Sequence, residues 1–267
     1  MEERCGRWSL GRTIATGAWA EVRAARPVDA AADSADVAAV KRPHTHAARE
    51  PAFHALFAAE RALTASLPPH PAVIAAIDQG PAEGAGDAAV DARPYLVMPL
   101  VDGPDLRARL GLGAVARPVW LAIAADIAAG LAHLHAHGWV HGDVNPTNIL
   151  LGARGAVLCD LGVARRAGKG GPVRGTAAYM APEQVKGAPW TPAVDVFALG
   201  VVLWELARGA RLFARPAPYL AMAAVVETTA PRLDDPALAE VVAAALAHDP
   251  AARPSAADLA TRLAALR

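Results

Sequence analysis

The stretch HGDVNPTNIL at residues 141–150, followed by CDLG at residues 159–162, decides the fold of this chain. The apolar residues in and after it form short runs, which are typical of buried segments that hold polar side chains at their ends. Asp143, Asn148 five residues later and Asp160 can therefore supply one base and two oxygen ligands for a hard cation. Mg²⁺ prefers such ligands and often completes its shell with phosphate oxygens.

The same stretch resembles the catalytic loop and the magnesium loop of eukaryotic-like (Hanks-type) bacterial serine/threonine protein kinases, whose motifs are H-R-D-x-x-x-x-N and D-F-G. The resemblance implies that Asp143 is the base that orients the substrate hydroxyl, and that Asn148 and Asp160 bind Mg²⁺. The chain departs from the family pattern at Gly142 for Arg, Asn145 for Lys and Leu161 for Phe. The family's lysine neutralises charge on the transferring phosphoryl group, whereas Asn145 can donate a hydrogen bond but brings no charge.

Upstream motifs resemble the phosphate-binding elements of the family. Residues 15–22, ATGAWAEV, take the place of the glycine-rich loop G-x-G-x-x-G-x-V, of which Gly17 remains. Residues 37–41, VAAVK, resemble V-A-I-K, which makes Lys41 the contact to the α- and β-phosphates and Glu60 its ion-pair partner. The plain alternatives are a simple hairpin at Gly17, a solvated strand end at Lys41 and a solvated glutamate.

Residues 95–101, YLVMPLV, resemble the strand that leads to the hinge, with Met98 as gatekeeper. The resemblance implies adenine contacts to the backbone of Pro99 and Val101, and a proline at 99 removes a donor that is not needed there. Asp105 is either a ribose contact or an acidic residue favoured by a helix N-terminus. The resemblance also implies nucleotide contacts at Val22, Ala39 and Leu150.

Residues 175–183, GTAAYMAPE, resemble the substrate-docking segment G-T-x-x-Y-M-A-P-E of Ser/Thr kinases. The resemblance implies that Thr176 hydrogen-bonds near Asp143, which favours Ser or Thr over Tyr as the acceptor. It also implies an ion pair between Glu183 and Arg253. The segment predicts the family more specifically than the glycine loop does.

The order of predicted elements fits the same family. Strands are predicted at 9–14, 20–25, 37–41, 73–77 and 95–100, a helix at 51–67, a loop at 80–93, and helices at 120–134, 195–207 and 255–266. The resemblance also implies that Asp195, on the central helix, caps the catalytic-loop backbone. We therefore predict an α+β, two-lobed protein-kinase fold: a single domain at 1–267, with an N-lobe at 1–101 and a C-lobe at 102–267.

Composition limits the functional classes. The 267 residues are 54% hydrophobic with a formal net charge of zero, which argues against a nucleic-acid surface or a polybasic membrane patch. Cys5 and Cys159 do not form a disulfide framework, so a reducing compartment is favoured. The acidic start is unlike a secretory signal, and the apolar stretches contain Asp126, Asp195 and Glu205, which favours buried helices over membrane spans. We expect a cytoplasmic protein, and the Ala-rich composition is typical of GC-rich bacteria.

Histidine and activation-loop patterns give two further expectations. The nine histidines show no metal-ligand spacing. Those at 44, 46, 133, 135 and 137 are interpreted as solvated surface residues, whereas His141 is interpreted as structural, packed under the magnesium loop. Gly142 removes the arginine that pairs with an activation-loop phosphate in many kinases, and residues 162–181 contain no Ser and only Thr176 as a Thr. Our hypothesis is therefore that activation-loop phosphorylation does not switch this chain. Its basic residues at 165, 166, 169 and 174 either attract an acidic partner or are simply solvated.

The resemblance implies an ATP- and Mg²⁺-dependent kinase that phosphorylates Ser or Thr on a protein substrate or regulatory partner. One alternative is a pseudokinase, which binds nucleotide or partners with little phosphotransfer, as Asn145 and the glycine-poor loop suggest. Another is a small-molecule phosphotransferase, since those enzymes also use H-G-D-x-x-x-x-N. The docking segment at 175–183 argues against the latter.

Overall fold

The computed structural model describes residues 3–31, 35–80 and 93–267, and the chain divides into two units. The first comprises Met1–Pro68 and Ile74–Val101, and the second comprises Pro69–Val73 and Asp102–Arg267. Most of the predicted loop at 80–93 lies outside the described residues. The first unit is strand-rich and the second mainly helical, so the predicted α+β class is confirmed.

The described part of the first unit is an antiparallel sheet with two helices. Its strands follow the order β1-β2-β3-β4-β6-β5. Their bounds are β1 Arg4–Cys5, β2 Trp8–Thr16, β3 Ala20–Pro27, β4 Ala38–Pro43, β5 Asp78–Gly80 and β6 Tyr95–Pro99. The helices are α1 Thr45–Ala48 and α2 Pro51–Ser66, and Pro51 suits a first turn because its missing N–H has no partner there.

One face of this sheet forms the core of the first unit. Trp8, Leu10, Val40 and Val97 are buried there in one cluster. The indole of Trp8 donates to Asp78 at 2.7 Å. Burial would raise the pKa of Asp78, but hydrogen bonds from Trp8 and Arg7 lower it overall. The end of β5 is thereby fixed against β2.

The strand predicted at 73–77 is wrong. Val73 makes only isolated bridges, to His70 and to Leu158, whereas the backbone N–H of Ile77 donates to Val97 and leads into β5. The two ends of the run belong to different units, with Val73 in the second and Ile74 in the first. For the same reason the predicted N-lobe at 1–101 differs from the first unit by Pro69–Val73, where the Ala72 carbonyl accepts from Leu158 at 2.9 Å.

The second unit consists mainly of helices with two small two-stranded sheets. In its described residues the helices are α3 Leu106–Gly111, α4 Arg117–Ala136, α5 Pro182–Val185, α6 Ala193–Arg208, α7 Pro218–Glu227, α8 Pro236–Ala245 and α9 Ala256–Ala264. The strands are β7 Trp139–Val140, β8 Ile149–Gly152, β9 Gly155–Leu158 and β10 Arg165–Arg166, paired as β7 with β10 and β8 with β9. Short 3₁₀ turns lie at Pro146–Asn148, Ala177–Tyr179 and Pro250–Ala252.

The three predicted helices of this unit are present. Helix α6 is buried nearly all round and ends at Gly209, whose φ of 64° suits glycine. Helix α9 is capped by Ser255, whose hydroxyl accepts from the Asp258 N–H at 3.1 Å. Helix α4 has the length and apolar composition to cross a membrane, and half of its apolar window is buried in the protein. Its Asp126 accepts from the Ala156 N–H at 3.0 Å, which favours a core role.

Candidate active site

The first unit contains the predicted ion pair. The Lys41 ammonium, on central strand β4, lies 2.6 Å from a carboxylate oxygen of Glu60 on α2. The two side chains are 15% and 4% exposed, so the pair is largely desolvated. Phe57 and Leu63 are buried on either side of Glu60 along α2, which directs its carboxylate inward. The simple reading of Glu60 as a solvated residue is therefore wrong.

Four of the predicted nucleotide contacts lie on the same face of the sheet, as the strand register shows. Val22 lies opposite Lys41, and Ala39 lies opposite Met98. Residues opposite each other share a face, and residues two apart do so as well. This face is the reverse of the one that carries Val40 and Val97 in the core. Pro99 ends β6 and is exposed, and Val101 follows it half-buried.

The turn around Gly17 is tied to two histidines that the sequence analysis missed. The Gly17 N–H donates to Ala20 at 2.8 Å, which closes the turn. His44 Nε2 donates to the Gly17 carbonyl at 2.9 Å, and His46 Nε2 donates to the Ala18 carbonyl at 3.2 Å. The two imidazoles stack with centroids 5.6 Å apart. These two side chains therefore bind the loop rather than standing free in solvent.

Aromatic stacking also holds this turn. The ring of Trp19 stacks on Phe53 of α2 with centroids 5.6 Å apart, and the Phe53 ring stacks on Phe57 at 6.3 Å. The Trp19 carbonyl accepts from the His44 N–H at 2.9 Å. The loop therefore has side-chain supports where a glycine-rich sequence would rely on a mobile backbone.

In the second unit, Asp195 caps the catalytic loop as predicted. Its carboxylate is fully buried and accepts from the His141 N–H at 2.8 Å and the Gly142 N–H at 2.7 Å. His135 Nε2, on α4, lies 2.8 Å from the same carboxylate, so the expectation that this histidine is solvated is wrong. The ring of His141 is buried between the Cys159 carbonyl and the Asp143 N–H, which agrees with a structural role.

The carboxylate of Asp143 is held from two sides. Its Oδ1 accepts from the Thr176 N–H at 2.7 Å, and its Oδ2 accepts from the Asn148 amide at 3.1 Å. The same amide donates to the Asp143 carbonyl at 2.9 Å. Such charge-assisted bonds are strong and fix the direction of the carboxylate. Asp143 is half-buried, so a remaining lone pair can accept a proton from a hydroxyl group.

Asn145 connects the catalytic loop to the docking segment. It is buried, and its Oδ1 accepts from the Thr147 N–H at 2.9 Å. Its Nδ2 donates to the Asp143 carbonyl and to the Thr176 hydroxyl, both at 3.1 Å. Both amide hydrogens therefore have partners inside the protein, so Asn145 holds the catalytic loop and the docking segment in place relative to each other.

Thr176 hydrogen-bonds to Asp143, as the resemblance implied. Its backbone N–H, rather than its hydroxyl, donates to the Asp143 carboxylate. The hydroxyl instead accepts from Asn145. The segment containing Thr176 therefore lies directly against the candidate base.

Asn148 and Asp160 flank the same hairpin. Asn148 precedes β8 and Asp160 closely follows β9, and Ile149 lies opposite Leu158 in that ladder. The Cys159 N–H donates to the Asn148 carbonyl at 2.9 Å, so pairing continues past the strand ends. Asp160 has a φ of 64°, the one positive value for a residue other than glycine among the described residues. Such backbone strain is common at functional sites.

The donor set at this hairpin fits Mg²⁺. The side-chain nitrogen of Asn148 donates to Asp143, so the side-chain oxygen of Asn148 can act as a metal ligand. Asp160, which is exposed, adds a carboxylate. Residues 3–31, 35–80 and 93–267 contain no cluster of three His, Cys, Asp or Glu side chains that could hold a metal. A cation here would therefore take the rest of its shell from phosphate and water, as Mg²⁺ commonly does.

The docking segment is anchored by buried pairs. Arg253 makes the predicted ion pair with Glu183 through two bonds, at 2.6 and 2.9 Å. The Tyr179 hydroxyl donates to Glu205 on α6 at 2.7 Å, and burial together with the Glu205 charge raises the pKa of Tyr179. Gln184, which the sequence analysis missed, donates to the Gly142 carbonyl at 3.1 Å. No local sequence pattern marks Gln184, since its partner lies 42 residues away.

Asp105 and Leu150 are neighbours. They form an isolated antiparallel bridge, so their backbones are adjacent. The Asp105 carboxylate accepts from the Ala108 N–H at 2.7 Å and caps α3, which is the helix-terminus alternative. A ribose contact from Asp105 stays a prediction.

Comparison with known proteins agrees with this arrangement. A family model described as "Protein kinase domain" matches residues 8–262. Serine/threonine-protein kinase PknB of Mycolicibacterium smegmatis is 35% identical over 221 residues, which cover 79% of this chain and 34% of that protein. A probable serine/threonine-protein kinase of Streptomyces coelicolor, SCO3848, is 34% identical over 270 residues, covering 95% of this chain and 38% of that protein. The chain thus spans about a third of the length of these relatives, and it belongs to the protein kinase family.

Proposed function

We propose that this chain transfers the γ-phosphoryl group of ATP, with Mg²⁺, to Ser or Thr hydroxyls of protein substrates. The observation that carries the proposal is the carboxylate of Asp143, fixed by Asn148 on one oxygen and by the Thr176 backbone on the other. A base that is already oriented does not have to be ordered during the reaction. Such positioning can account for a large part of the rate enhancement.

Each element has a defined task in this reaction. Asp143 orients the acceptor hydroxyl and takes its proton, while Lys41, held by Glu60, contacts the α- and β-phosphates. Mg²⁺ supplies neutralisation of the phosphate charge and is bound through the Asn148 amide oxygen and the Asp160 carboxylate. The protein therefore contributes positioning and charge, with little covalent chemistry of its own.

A protein acceptor is favoured by the docking segment. Thr176 lies against Asp143, and the segment that follows it is anchored by Glu183–Arg253 and Tyr179–Glu205. The relatives with similar sequences are named as Ser/Thr protein kinases, which supports Ser or Thr as the acceptor here. Membership of the protein kinase family argues against a small-molecule phosphotransferase.

Asn145 sets the expected rate. In the family pattern a lysine at this position places a positive charge near the transferring group, and Asn145 has none to offer. Losing one such electrostatic contribution commonly costs about 10²–10³ in rate. We therefore propose slow but measurable turnover, and a complete absence of turnover corresponds to the pseudokinase alternative.

A radiolabelled-ATP assay tests the proposal. Wild type, Asp143→Asn and Lys41→Met are compared with a generic protein substrate and with a panel of small alcohols. We expect transfer to protein Ser or Thr by wild type only. Transfer to neither class, together with a Mg²⁺-dependent thermal shift by ATP, would establish the pseudokinase alternative. Transfer to alcohols but not to protein would establish a small-molecule phosphotransferase.

A further inference from the structure

Trp190 fills the space next to Gly142, where the kinase motif has an arginine. The indole is only 1% exposed. Gly142 has a φ of 78°, and a Cβ added there would lie 2.0 Å from Cζ3 of the Trp190 ring. With Trp190 in this place, no side chain fits at position 142. The ring is therefore in direct contact with the backbone that carries Asp143.

Arg165 covers a face of the Trp190 ring. The central guanidinium carbon lies 3.4 Å from the ring centroid. Nη1 of Arg165 is buried and has no hydrogen-bond partner in the described part of the chain. Burial and the nearby charge of Arg174 lower the pKa of Arg165. Nη2 of Arg165 donates to the Pro172 carbonyl at 3.4 Å, and the face of the aromatic ring adds to the stabilisation of the cation, since a desolvated stack of this kind is among the stronger cation–π contacts.

The backbone around Trp190 also binds the loop that contains Arg165. The Gly168 N–H donates to the Trp190 carbonyl at 2.7 Å, and the Trp190 N–H donates to the Lys169 carbonyl at 3.2 Å. On the other side, β10 at Arg165–Arg166 pairs with β7, directly before the catalytic loop. The loop is thus fixed on both sides by backbone hydrogen bonds and by two cation–π contacts, Arg165 over Trp190 and, at 4.4 Å, Arg166 over Trp139 of β7.

We infer that Trp190 is a positioning residue, which couples the loop at 162–174 to the catalytic loop and holds it in its substrate-binding arrangement without phosphorylation. The coupling runs from Arg165 through the indole to Gly142 and from there to Asp143. This inference rests on the proposed kinase function for its effect on catalysis. Its structural part, an ordered loop in the unmodified protein, is independent of catalysis.

A mere space-filling role for Trp190 makes different predictions. If the indole only fills the core, its removal destabilises the second unit as a whole and affects all kinetic constants together. If it positions the loop, its removal loosens residues 162–181 well before the unit unfolds, and it weakens protein-substrate binding more than ATP binding. The replacement Trp190→Phe keeps an aromatic ring on which Arg165 can stack. It should therefore keep the loop more ordered than Trp190→Ala does.

Hydrogen exchange and kinetics on the full chain test the inference together. Mass spectrometry first establishes that residues 162–181 carry no phosphate. Peptides from 162–181 and, as a reference, from α9 are then followed in wild type, Trp190→Ala, Trp190→Phe and Arg165→Ala. Trp204→Ala is the matched control, because Trp204 is another buried tryptophan of the same unit, which donates to the Pro231 carbonyl.

We expect exchange in 162–181 to be about tenfold faster in Trp190→Ala, with α9 unchanged, and faster by a smaller factor in Arg165→Ala. The KM for protein substrate should rise about tenfold while the KM for ATP stays within about twofold, and Trp190→Phe should recover most of both losses. Unchanged exchange in Trp190→Ala, or the same pattern in Trp204→Ala, would overturn the inference. If wild type transfers no phosphate, the proposed function fails, and the exchange measurement alone still decides the role of Trp190.

Discussion

The side-chain amide of Asn145 donates a hydrogen bond to the Thr176 hydroxyl at 3.1 Å. This bond joins the catalytic loop to the docking segment at the position where the kinase motif has a lysine. Asn145 also bonds to Asp143 and to Thr147, so its amide is buried with its donors and acceptor satisfied. The substitution has therefore exchanged a mobile charge for a fixed neutral connection between two functional segments.

A double-mutant cycle measures this connection. Asn145→Ala should lower the free energy of unfolding by about 2 kcal/mol, because buried partners lose their hydrogen bonds. Thr176→Val should cost less, since Asn145 keeps its bonds to the Asp143 carbonyl and to the N–H and hydroxyl of Thr147. The double variant should be about 1 kcal/mol more stable than the sum of the single changes predicts. Urea unfolding monitored by tryptophan fluorescence provides the four values.

Thr261→Val is the control for the cycle. Thr261 lies exposed on α9 and its hydroxyl donates to the Ala257 carbonyl. Combined with Asn145→Ala, it should give purely additive losses. Additivity in the Asn145–Thr176 cycle itself would show that the bond does not couple the two segments.

The functional pairs that sequence predicted are those that a motif specifies at both ends. Lys41 with Glu60, and Glu183 with Arg253, each join two recognisable motifs, so the resemblance supplies the partner although 70 residues separate the latter pair. The cap from Asp195 was likewise implied by the family resemblance, and its place near the start of a buried helix agrees with it. In each case a charged residue sits in an apolar pattern and so must have a partner.

The pairs that sequence missed have a motif at one end only. His135 lies on a helix whose other histidines are two residues away, and nothing local marks Asp195, 60 residues later, as its partner. In the sequence, nothing distinguishes Trp190 from other apolar residues of the core. A signal was present at Gly142, because a missing arginine leaves space in a close-packed interior and some side chain must fill it. Which side chain does so depends on tertiary packing alone.

Variants at Glu60 and Lys41 should show that stability can be regained without regaining phosphotransfer. Glu60→Leu leaves the Lys41 ammonium, 15% exposed, without this carboxylate and should cost about 3 kcal/mol of unfolding free energy. The double variant Lys41→Met with Glu60→Leu should regain most of that loss, since apolar groups can replace a buried pair. Phosphotransfer should fall by about 10²-fold or more in both, because the phosphate contact or its orientation is lost.

The exposed pair Arg208–Asp234 is the reference for this experiment. Its N–O distance is 3.1 Å, yet the Asp234 side chain is 95% exposed. Asp234→Ala should therefore leave both the unfolding midpoint and the phosphotransfer rate unchanged. If the double variant at 41 and 60 remains as unstable as Glu60→Leu, desolvation of the lysine is not the cause of the loss.

The histidines at the Gly17 turn should affect nucleotide binding. His44→Ala removes a 2.9 Å bond to the Gly17 carbonyl, and His46→Ala removes a 3.2 Å bond to the Ala18 carbonyl. A net loss of about 1 kcal/mol for each bond corresponds to an increase of about fivefold in the KM for ATP. The rate at saturating ATP should change less, because the reacting groups are untouched. His248→Ala, at an exposed position of the second unit, should have no effect. Equal KM values for ATP in all three variants would show that the bonds from His44 and His46 to the turn do not contribute to nucleotide binding.

Stability at mildly acidic pH should depend on His70. Burial and the neighbouring His133, whose ring stacks at 4.9 Å, lower the pKa of His70 below its ordinary value of 6.5. Its Nδ1 accepts from the Ala72 N–H at 3.2 Å, and a proton on that atom would break the bond. The unfolded chain therefore binds this proton more readily, so the free energy of unfolding should decrease as pH falls below 6.5 and be unaffected above it.

His70→Asn tests the assignment, because an Asn oxygen can accept the same Ala72 N–H but cannot titrate in this range. Urea unfolding of wild type and variant at several pH values between about 5 and 8 should give curves that differ in slope below the ordinary histidine pKa. The variant should lose less stability on acidification than wild type does. Exposed His248, replaced by Asn, should leave the wild-type slope unchanged. Parallel pH curves for wild type and His70→Asn would mean that the stacked imidazoles carry no proton-linked cost, and that acid sensitivity arises elsewhere in the chain.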